Sequence, residues 1–188
     1  TGVSKFSKVS LFSGLNNLKD ITLHPEYATI CGYTQAELED VFQERLGDVD
    51  LEKMKKWYNG YNFLGDRVYN PFDVLNFLDT KEYKNWWFET GTPTFLMKLL
   101  IDKQYDLSGI ENIESSSEIL ESFDIDYIEP ETLLFQTGYL TIQEKKYLGP
   151  RIIYSLGTPN LEVRMSLADN LVKHLTQKAS ERINEQNA

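Results

Sequence analysis

The sequence is poor in the side chains that most metal and covalent sites need. Its 188 residues include one cysteine, Cys31, and two histidines, His24 and His174. A single cysteine cannot form an internal disulfide and is typical of a reducing compartment, so we expect a cytoplasmic location. These three residues are also too few for a structural zinc site. The sequence does not rule out a Ser-His-Asp catalytic triad that uses either histidine, although nothing in the sequence positions one.

Long apolar runs and a phosphate-binding loop are missing as well. No run of about 18 apolar residues and no signal-peptide pattern occurs, so we expect neither a membrane span nor secretion. A phosphate-binding loop needs a Gly-Lys-Ser/Thr sequence, yet none of the 11 glycines is followed by lysine. The acidic residue that would hold magnesium at the end of a buried strand is absent too. We therefore expect no bound cofactor and no catalytic residue in this chain itself.

Positive charge is absent from residues 104–144, which contain ten acidic side chains and no lysine or arginine. This segment, which we call the acidic belt, accounts for the whole net charge of −10. An acidic surface repels a phosphate backbone, so direct binding of nucleic acid is not expected. Asp124 and Asp126 could form a calcium pair, but no EF-hand spacing follows them. A solvated face is the preferred interpretation.

The residues that are present suffice for a compact, largely helical unit. Hydrophobic residues make up 41% of the chain and aromatic residues 13%, which is enough to build a core. Residues 70–71, 92–93 and 158–159 each place a capping side chain directly before a proline, a pattern typical of helix starts. Thr34 and Glu37 have the spacing of a capping box, which predicts another helix start.

Residues 140–156 change to a period of two on both sides of a turn, which predicts a β-hairpin. A helix is expected before this hairpin, and a long helix from Pro159 to about Gln177 after it. Helix, hairpin and helix in this order are typical of a winged-helix end. The sequence therefore predicts a mostly helical α+β fold, with a helical lid-like region followed by a winged-helix-like end that contains one β-hairpin.

Aromatic residues are densest where one helix is predicted to end and the next to begin. A helix from about Leu51 should end at Gly60, since glycine adopts a left-handed conformation at low steric cost. We call this stretch the aromatic hinge. Its residues are Trp57, Tyr58, Asn59, Gly60 and Tyr61. Such a stretch either clamps two helices together or forms a ligand or partner surface.

Three long motifs carry a family resemblance. Residues 57–61 read Trp-Tyr-Asn-Gly-Tyr, residues 68–72 read Val-Tyr-Asn-Pro-Phe, and residues 87–96 read Trp-Phe-Glu-Thr-Gly-Thr-Pro-Thr-Phe-Leu. They resemble the signatures of the bacterial predicted AAA-ATPase-like family, and shorter runs extend the resemblance to about Thr176. Members of that family are P-loop proteins that commonly carry a PD-D/E-X-K nuclease-like domain behind the ATPase-like region.

The resemblance implies that the chain is the C-terminal part of such a protein. ATP and magnesium are then implied for the full-length protein, whose upstream P-loop domain and possible downstream nuclease-like domain would be the partners of this chain. The first residues resemble a run that follows a late strand of the ATPase core, near the nucleotide. In related P-loop families a small residue and a proline that open a lid helix lie beside the adenine. The nucleotide-proximal candidates are Thr1, Ser4, Lys5, Tyr69, Asn70 and Pro71.

Four segments follow from these patterns and from the resemblance. Residues 1–33 would leave an ATPase core that is absent here, and residues 34–122 would form the helical region with the aromatic hinge. Residues 123–176 would form the winged-helix-like region, and residues 177–188 a polar tail or linker. The expected function is a non-catalytic region that couples nucleotide state to a downstream domain. The alternative is a protein-interaction module that uses the aromatic hinge and the acidic belt.

Overall fold

The computed structural model describes residues 19, 21–89, 94–107, 109–116 and 129–186. The helices in these ranges are α1 (Gln35–Val41), α2 (Leu51–Tyr58), α3 (Pro71–Thr80), α4 (Trp86–Glu89), α5 (Thr94–Asp102), α6 (Pro130–Gln136) and α7 (Leu161–Gln186). The strands are β1 (Asn59–Tyr61), β2 (Val68–Tyr69), β3 (Ile113–Ser116), β4 (Thr141–Leu148) and β5 (Arg151–Gly157). Two short 3-10 turns, Pro25–Tyr27 and Gln43–Arg45, lie in the first part of the chain.

The first helices begin at side-chain caps. The capping box at α1 is confirmed, because the Thr34 hydroxyl accepts from the Glu37 amide at 3.2 Å and the Glu37 carboxylate accepts from the Thr34 amide at 2.8 Å. Asp50 opens α2 by accepting from the Lys53 amide at 2.9 Å. Each cap satisfies an amide that has no partner inside its helix. Local sequence therefore fixes where both helices start.

A first hydrophobic core lies between α1, α2, α3 and the ribbon of β1 and β2. Its fully buried members are Leu38, Met54, Tyr58, Tyr69, Val74, Phe77 and Leu78. Tyr58 brings a polar group into this core, and its hydroxyl is satisfied by the backbone of Lys84, with both contacts at 3.0 Å. The aromatic rings of Tyr58, Phe77 and Tyr83 pack against one another, with centroids 4.6 to 6.1 Å apart.

A second core lies under the three-stranded sheet, which has the order β3-β5-β4 and is antiparallel throughout. Helices α5, α6 and α7 supply most of the remaining side chains. The buried members are Leu96, Met97, Leu100, Leu133, Leu134, Phe135, Tyr139, Leu140, Ile142, Tyr154, Leu156, Val163 and Leu167. Because β5 is central in the sheet, its Tyr154 and Leu156 are both buried in this core.

The fold is α+β with two small antiparallel sheets, and the predicted winged-helix-like end is wrong. A hairpin of β4 and β5 does lie where the alternating pattern places it. The hairpin belongs to a three-stranded sheet that was not predicted, because β3 pairs with β5 over four residue positions and makes β5 the middle strand. The region predicted to be helical and lid-like also contains β1, β2 and β3. A single hairpin therefore does not describe the strand content.

Helix α7 begins later and ends later than predicted. Its cap is Asn160, not Thr158, because the Asn160 side-chain oxygen accepts from the Val163 amide at 3.0 Å. The helix continues to Gln186, so the segment predicted as a polar tail is helical up to that residue. None of the helices in the described ranges combines the length and the apolar character needed to cross a bilayer.

Asn70 opens α3 in the predicted way, and its contribution to stability can be measured. Its side-chain oxygen accepts from the Phe72 amide at 3.0 Å, and Pro71 occupies the first helical position. We expect Asn70→Ala to lower the free energy of unfolding by about 1 kcal/mol, measured by urea denaturation. Asn70→Asp keeps an acceptor at the helix N-terminus. Its free energy of unfolding should therefore differ from that of the parent chain by only about a few tenths of a kcal/mol. Equal losses in both variants would contradict the capping role.

Candidate functional site

The ribbon of β1 and β2 separates two cavities. Asn59 pairs with Tyr69 and Tyr61 pairs with Val68, with an irregularity between the two pairs. Tyr33 extends the ribbon through a bridge to Tyr69, with N···O distances of 2.8 and 3.2 Å. Within β1, Asn59 and Gly60 line one cavity and Tyr61 lines the other. The aromatic hinge therefore contributes to both cavities.

The first cavity, which we call the aromatic cavity, has a volume of about 220 Å³. It is lined by Cys31, Tyr61, Phe63, Val68, Tyr69, Asn70, Trp87 and Gly138. Tyr61, Phe63 and Trp87 are only partly buried, so part of each side chain stays accessible. Tyr69 is fully buried, and its hydroxyl donates to the Gln35 side chain at 2.6 Å. The cavity thus has flat, apolar walls with one amide side chain, Asn70, at its edge.

The predicted site residues do not all meet in one place. Tyr69 and Asn70 line the aromatic cavity together with Tyr61, whereas Pro71 does not line it. Thr1, Ser4 and Lys5 lie outside the described residues. The structure therefore brings together two of the six nucleotide-proximal candidates and one hinge residue.

The hinge itself divides between structural and cavity positions. Tyr58 is fully buried in the first core, and Trp57 packs beside Tyr83 with a centroid distance of 5.6 Å. Asn59 and Gly60 line the second cavity. Gly60 has a φ of +141° and does not form a left-handed helix cap, because it belongs to β1. The predicted helix end is right, but the predicted reason for the glycine is wrong.

The second cavity, which we call the basic cavity, has a volume of about 370 Å³. It is lined by Glu52, Lys55, Lys56, Asn59, Gly60, Arg67, Pro159, Asn160, Leu161 and Arg164. Four of these side chains are cationic and one is anionic. Sequence reasoning missed this group, because Lys55 and Arg164 are more than a hundred positions apart and no local pattern connects them.

Two buried carboxyl groups meet away from the lining of either cavity. Asp73 in the first turn of α3 and Glu162 in the first turn of α7 are both 0% exposed. One Glu162 oxygen accepts from the Trp87 amide at 2.9 Å. The other Glu162 oxygen and both Asp73 oxygens lack a donor at full hydrogen-bond geometry among the described residues, and the Trp87 amide lies near enough to Asp73 to lower its pKa. Two ionised carboxylates in this position would repel each other and leave three buried acceptors without a full hydrogen bond.

A single proton shared between Asp73 and Glu162 removes the repulsion and supplies a donor. Burial raises the pKa of Glu162 to about 9, and the neighbouring negative charge of Asp73 adds to the effect. Burial also raises the pKa of Asp73, to about 6, although the hydrogen bond with Glu162 opposes the increase. Near neutral pH, Glu162 therefore carries the proton and donates it to the Asp73 carboxylate. The pair holds the starts of α3 and α7 together.

The pair also acts on the tyrosines nearby. Burial raises the pKa of Tyr61 well above its usual value, and the charges of Asp73 and Glu162 raise it further. The Tyr61 hydroxyl thus stays protonated and can donate but not act as a base. A sequence signal for the pair does exist, since Asp73 and Glu162 are both acids in the first turn of a helix that begins at or just after a proline. Such acids are usually exposed and interact favourably with the helix dipole, so the sequence pattern alone does not indicate a buried pair.

Metal-binding and triad chemistry receive no support from the described residues. In those ranges, no three histidine, cysteine or acidic side chains come close enough to hold a metal ion. The possible calcium pair of Asp124 and Asp126 lies outside them. Among the same residues, neither histidine forms a hydrogen bond to a serine or an aspartate, and the His174 ring contacts the Asn170 carbonyl at 3.1 Å.

Comparison with known proteins gives one informative similarity. The chain is 45% identical over 181 residues to a curated protein from Azotobacter chroococcum mcd 1, described as an "Uncharacterized protein in vnfD 5'region". The alignment covers 96% of this chain and 35% of that protein. The chain thus spans about a third of the length of the relative it matches. No protein-family profile and no solved structure matches it. The resemblance to the predicted AAA-ATPase-like family remains a prediction.

Proposed function

We propose that this chain is a non-catalytic region of an AAA-ATPase-like protein and that its aromatic cavity receives the base of a nucleotide. The observation that carries the proposal is the meeting of Tyr61, Tyr69 and Asn70 in one cavity with Phe63 and Trp87. Flat aromatic walls bind bases by stacking, which contributes about 1–3 kcal/mol per base. A volume of about 220 Å³ accommodates a base but is small for a whole nucleotide.

The position of the aromatic cavity suits a relay. Tyr69 belongs to the first core, whereas Tyr61 and Trp87 pack against the second. A base in this cavity would contact Tyr61 and Trp87 and lie beside the buried Tyr69 of the first core. A ligand shifts an equilibrium between two states only if it binds them with different affinities. A cavity whose walls come from two cores changes shape when the cores move relative to each other, so the affinity for a base would differ between the two states.

The hydrogen-bonding groups at the rim fit the same interpretation. The Asn70 side-chain oxygen is occupied by the Phe72 amide, which leaves its amide nitrogen to face a ligand acceptor. In this proposal the upstream P-loop domain supplies the phosphate and magnesium contacts, a downstream nuclease-like domain receives the signal, and the protein acts in the cytoplasm. The chain itself then hydrolyses no ATP, because phosphoryl transfer depends on a phosphate loop and a metal site.

The alternative of a protein-interaction module has a narrower basis in the structure. Tyr58 is fully buried and cannot contact a partner. Acids of the belt are also engaged within the chain, since Glu111 pairs with Arg164 at 2.8 Å and Glu131 accepts from the Tyr105 hydroxyl at 2.8 Å. These contacts reduce the surface that the hinge and the belt could offer to another protein.

Adenosine, which has no phosphate, tests the base-binding proposal. We expect weak, saturable binding with a Kd on the order of 1 mM, followed by NMR chemical shifts of the Trp87 indole and backbone signals. Trp87→Leu keeps an apolar wall but removes the stacking surface, so affinity should fall at least about fivefold. Trp86→Leu is the matched control, because Trp86 packs against the first core and does not line the cavity.

Three outcomes would overturn the proposal. The first is that adenosine does not bind, and the second is that Trp87→Leu and Trp86→Leu weaken its binding equally. The third is release of phosphate from ATP by the purified chain, which would contradict a non-catalytic role. Asn70→Asp adds a further check, since it keeps the helix cap and removes the amide donor. We expect this variant to bind adenosine more weakly at unchanged stability.

A further inference from the structure

We propose that the basic cavity is a binding site for small molecules that carry a diphosphate group. This inference does not depend on the proposed function, because it concerns a different cavity and a ligand group that adenosine lacks. Its first basis is charge. Lys55, Lys56, Arg67 and Arg164 line the cavity against the single acid Glu52, in a chain whose net charge is −10. Such a local concentration of cations attracts anions against the field of the rest of the chain.

The second basis is the start of α7, which lines the cavity with Asn160 and Leu161. The helix has 26 residues, and its first amides have no partner within the helix. The Val163 amide is taken by the Asn160 side chain, but the amides of Leu161 and Glu162 precede it and have no such cap. Amides at a helix N-terminus together with the helix dipole favour bound anions.

The third basis is a buried donor without an acceptor. Asn160 is only 5% exposed, and its side-chain nitrogen has no hydrogen-bond partner among the described residues. The orientation of this amide is fixed, because its oxygen must accept from the Val163 N–H. The nitrogen must therefore donate elsewhere, and an unsatisfied buried donor costs about 1–3 kcal/mol. Asn160 lines the basic cavity, and an anion that reached its buried nitrogen would supply the missing acceptor.

The arginines are held in place before any ligand arrives. The Arg164 guanidinium pairs with Glu111 at 2.8 Å, and Arg67 donates to the Gln143 side chain at 2.8 Å. Each guanidinium has five N–H donors, so one occupied group leaves others for a ligand. A fixed fork loses less conformational entropy when it binds a phosphate. The two lysines add mobile charge at the end of α2.

The negative charge of the buried carboxyl pair does not directly repel an anion in the basic cavity. Glu162 follows Leu161 in the chain, but its carboxyl group binds the Trp87 amide and carries the shared proton near neutral pH. Asp73 does not line the cavity. A volume of about 370 Å³ exceeds what one phosphate needs and fits two linked phosphates with their partners. A small molecule also fits the overall negative charge of the chain better than a nucleic acid polymer does.

Calorimetric titration of the 188-residue chain with sodium pyrophosphate, at constant ionic strength and without magnesium, tests this site. We expect saturable binding that inorganic phosphate reproduces more weakly. Asn160→Asp keeps an acceptor for the Val163 amide but replaces the buried donor with negative charge, so binding should weaken at least about tenfold. The double variant Lys55→Gln and Lys56→Gln changes only exposed side chains and should weaken binding by a similar factor.

Lys173→Gln is the matched control, because Lys173 is an exposed cation on α7 that does not line the cavity. It should bind pyrophosphate within about twofold of the parent chain, since only distant, screened charge is lost. Thermal unfolding of each variant shows whether it is folded, and if Asn160→Asp is not, the lysine variant decides. The proposal fails if pyrophosphate does not saturate the chain or if Lys173→Gln weakens binding as much as the cavity variants. It also fails if single-stranded DNA binds in preference, with an affinity that rises with its length.

Discussion

Gly60→Ala is expected to destabilise the protein by at least about 3 kcal/mol. Gly60 has a φ of +141°, a conformation that residues with a β-carbon rarely adopt. A β-carbon built at this position would overlap the Pro159 carbonyl oxygen and lie 2.7 Å from the Pro159 carbonyl carbon. The backbone of one segment would have to move, because neither clashing atom belongs to a flexible side chain. Urea denaturation measures the loss of stability.

Two other glycines separate the steric contribution from the conformational one. Gly149 has a φ of +60°, and a β-carbon there would meet no atom within 4 Å, so Gly149→Ala should cost only about 1 kcal/mol. A β-carbon at Gly47 likewise meets nothing within 4 Å, and Gly47→Ala should leave stability nearly unchanged. If Gly60→Ala cost no more than Gly149→Ala, the close approach of β1 to Pro159 would not be a structural requirement.

The Gly60 contact also connects the two halves of the basic cavity. It brings the end of α2, with Lys55 and Lys56, against the residues that precede α7. A displacement of Pro159 would move Asn160 and the first amides of the helix away from the lysines. Gly60→Ala should therefore weaken pyrophosphate binding even under conditions where the variant is folded, whereas Gly149→Ala should not.

Local signals in the sequence predict helix starts well, because a cap acts over three or four residues. Thr34 with Glu37 and Asn70 with Pro71 are both found as predicted. The start of α7 shows the limit of this reasoning. Thr158 and Pro159 have the same pattern, but Pro159 lies against Gly60 and the cap moves to Asn160. A tertiary contact thus displaced a local preference by two residues.

Strand pairing depends on long-range contacts and was predicted less completely. The alternating residues of β4 and β5 are close in sequence and indicate their hairpin correctly. Strand β3 contains one apolar residue, Ile113, in four positions, and its partner β5 begins more than thirty residues later. No periodicity reveals such a strand. Its pairing with β5 turns the expected wing into one side of a three-stranded sheet.

The candidate sites show the same contrast between local signals, which the sequence reveals, and long-range contacts, which it does not. The aromatic hinge was visible because its residues are adjacent, and part of it does line a cavity. The basic cavity and the carboxyl pair were not visible, because each is assembled from residues about ninety or more positions apart. Acids in the first turn of a helix are common and mostly exposed. Only the folded chain shows that Asp73 at the start of α3 and Glu162 at the start of α7 are neighbours.

The carboxyl pair gives a prediction about pH that depends on the sign of its pKa changes. The pKa of Glu162 rises on folding from about 4.5 to about 9, and that of Asp73 from about 3.8 to about 6. At a pH between the unfolded and the folded pKa of a carboxyl group, the folded protein keeps a proton that the unfolded chain has released. Stability linked to the pair is therefore present below about pH 4 and is lost as the pH rises toward about 9.

Glu162→Gln should remove most of this loss. The glutamine side chain can still accept from the Trp87 amide, and its amide group donates to the Asp73 carboxylate without any proton to lose. We expect the parent chain to lose on the order of a few kcal/mol of unfolding free energy between about pH 5 and about pH 9, and the variant clearly less. Glu26→Gln changes an exposed acid and should follow the parent chain.

Glu162→Ala distinguishes the shared proton from simple removal of a charge. If Glu162 were an unfavourable buried charge at neutral pH, its removal would stabilise the protein. With a shared proton the opposite follows, because alanine removes both the carboxyl group that accepts from the Trp87 amide and the proton that Asp73 shares. We expect a loss of about 3 kcal/mol or more at neutral pH, by urea denaturation. A stabilised Glu162→Ala variant, or a Glu162→Gln variant with the pH dependence of the parent chain, would show that the two carboxyl groups do not share a proton.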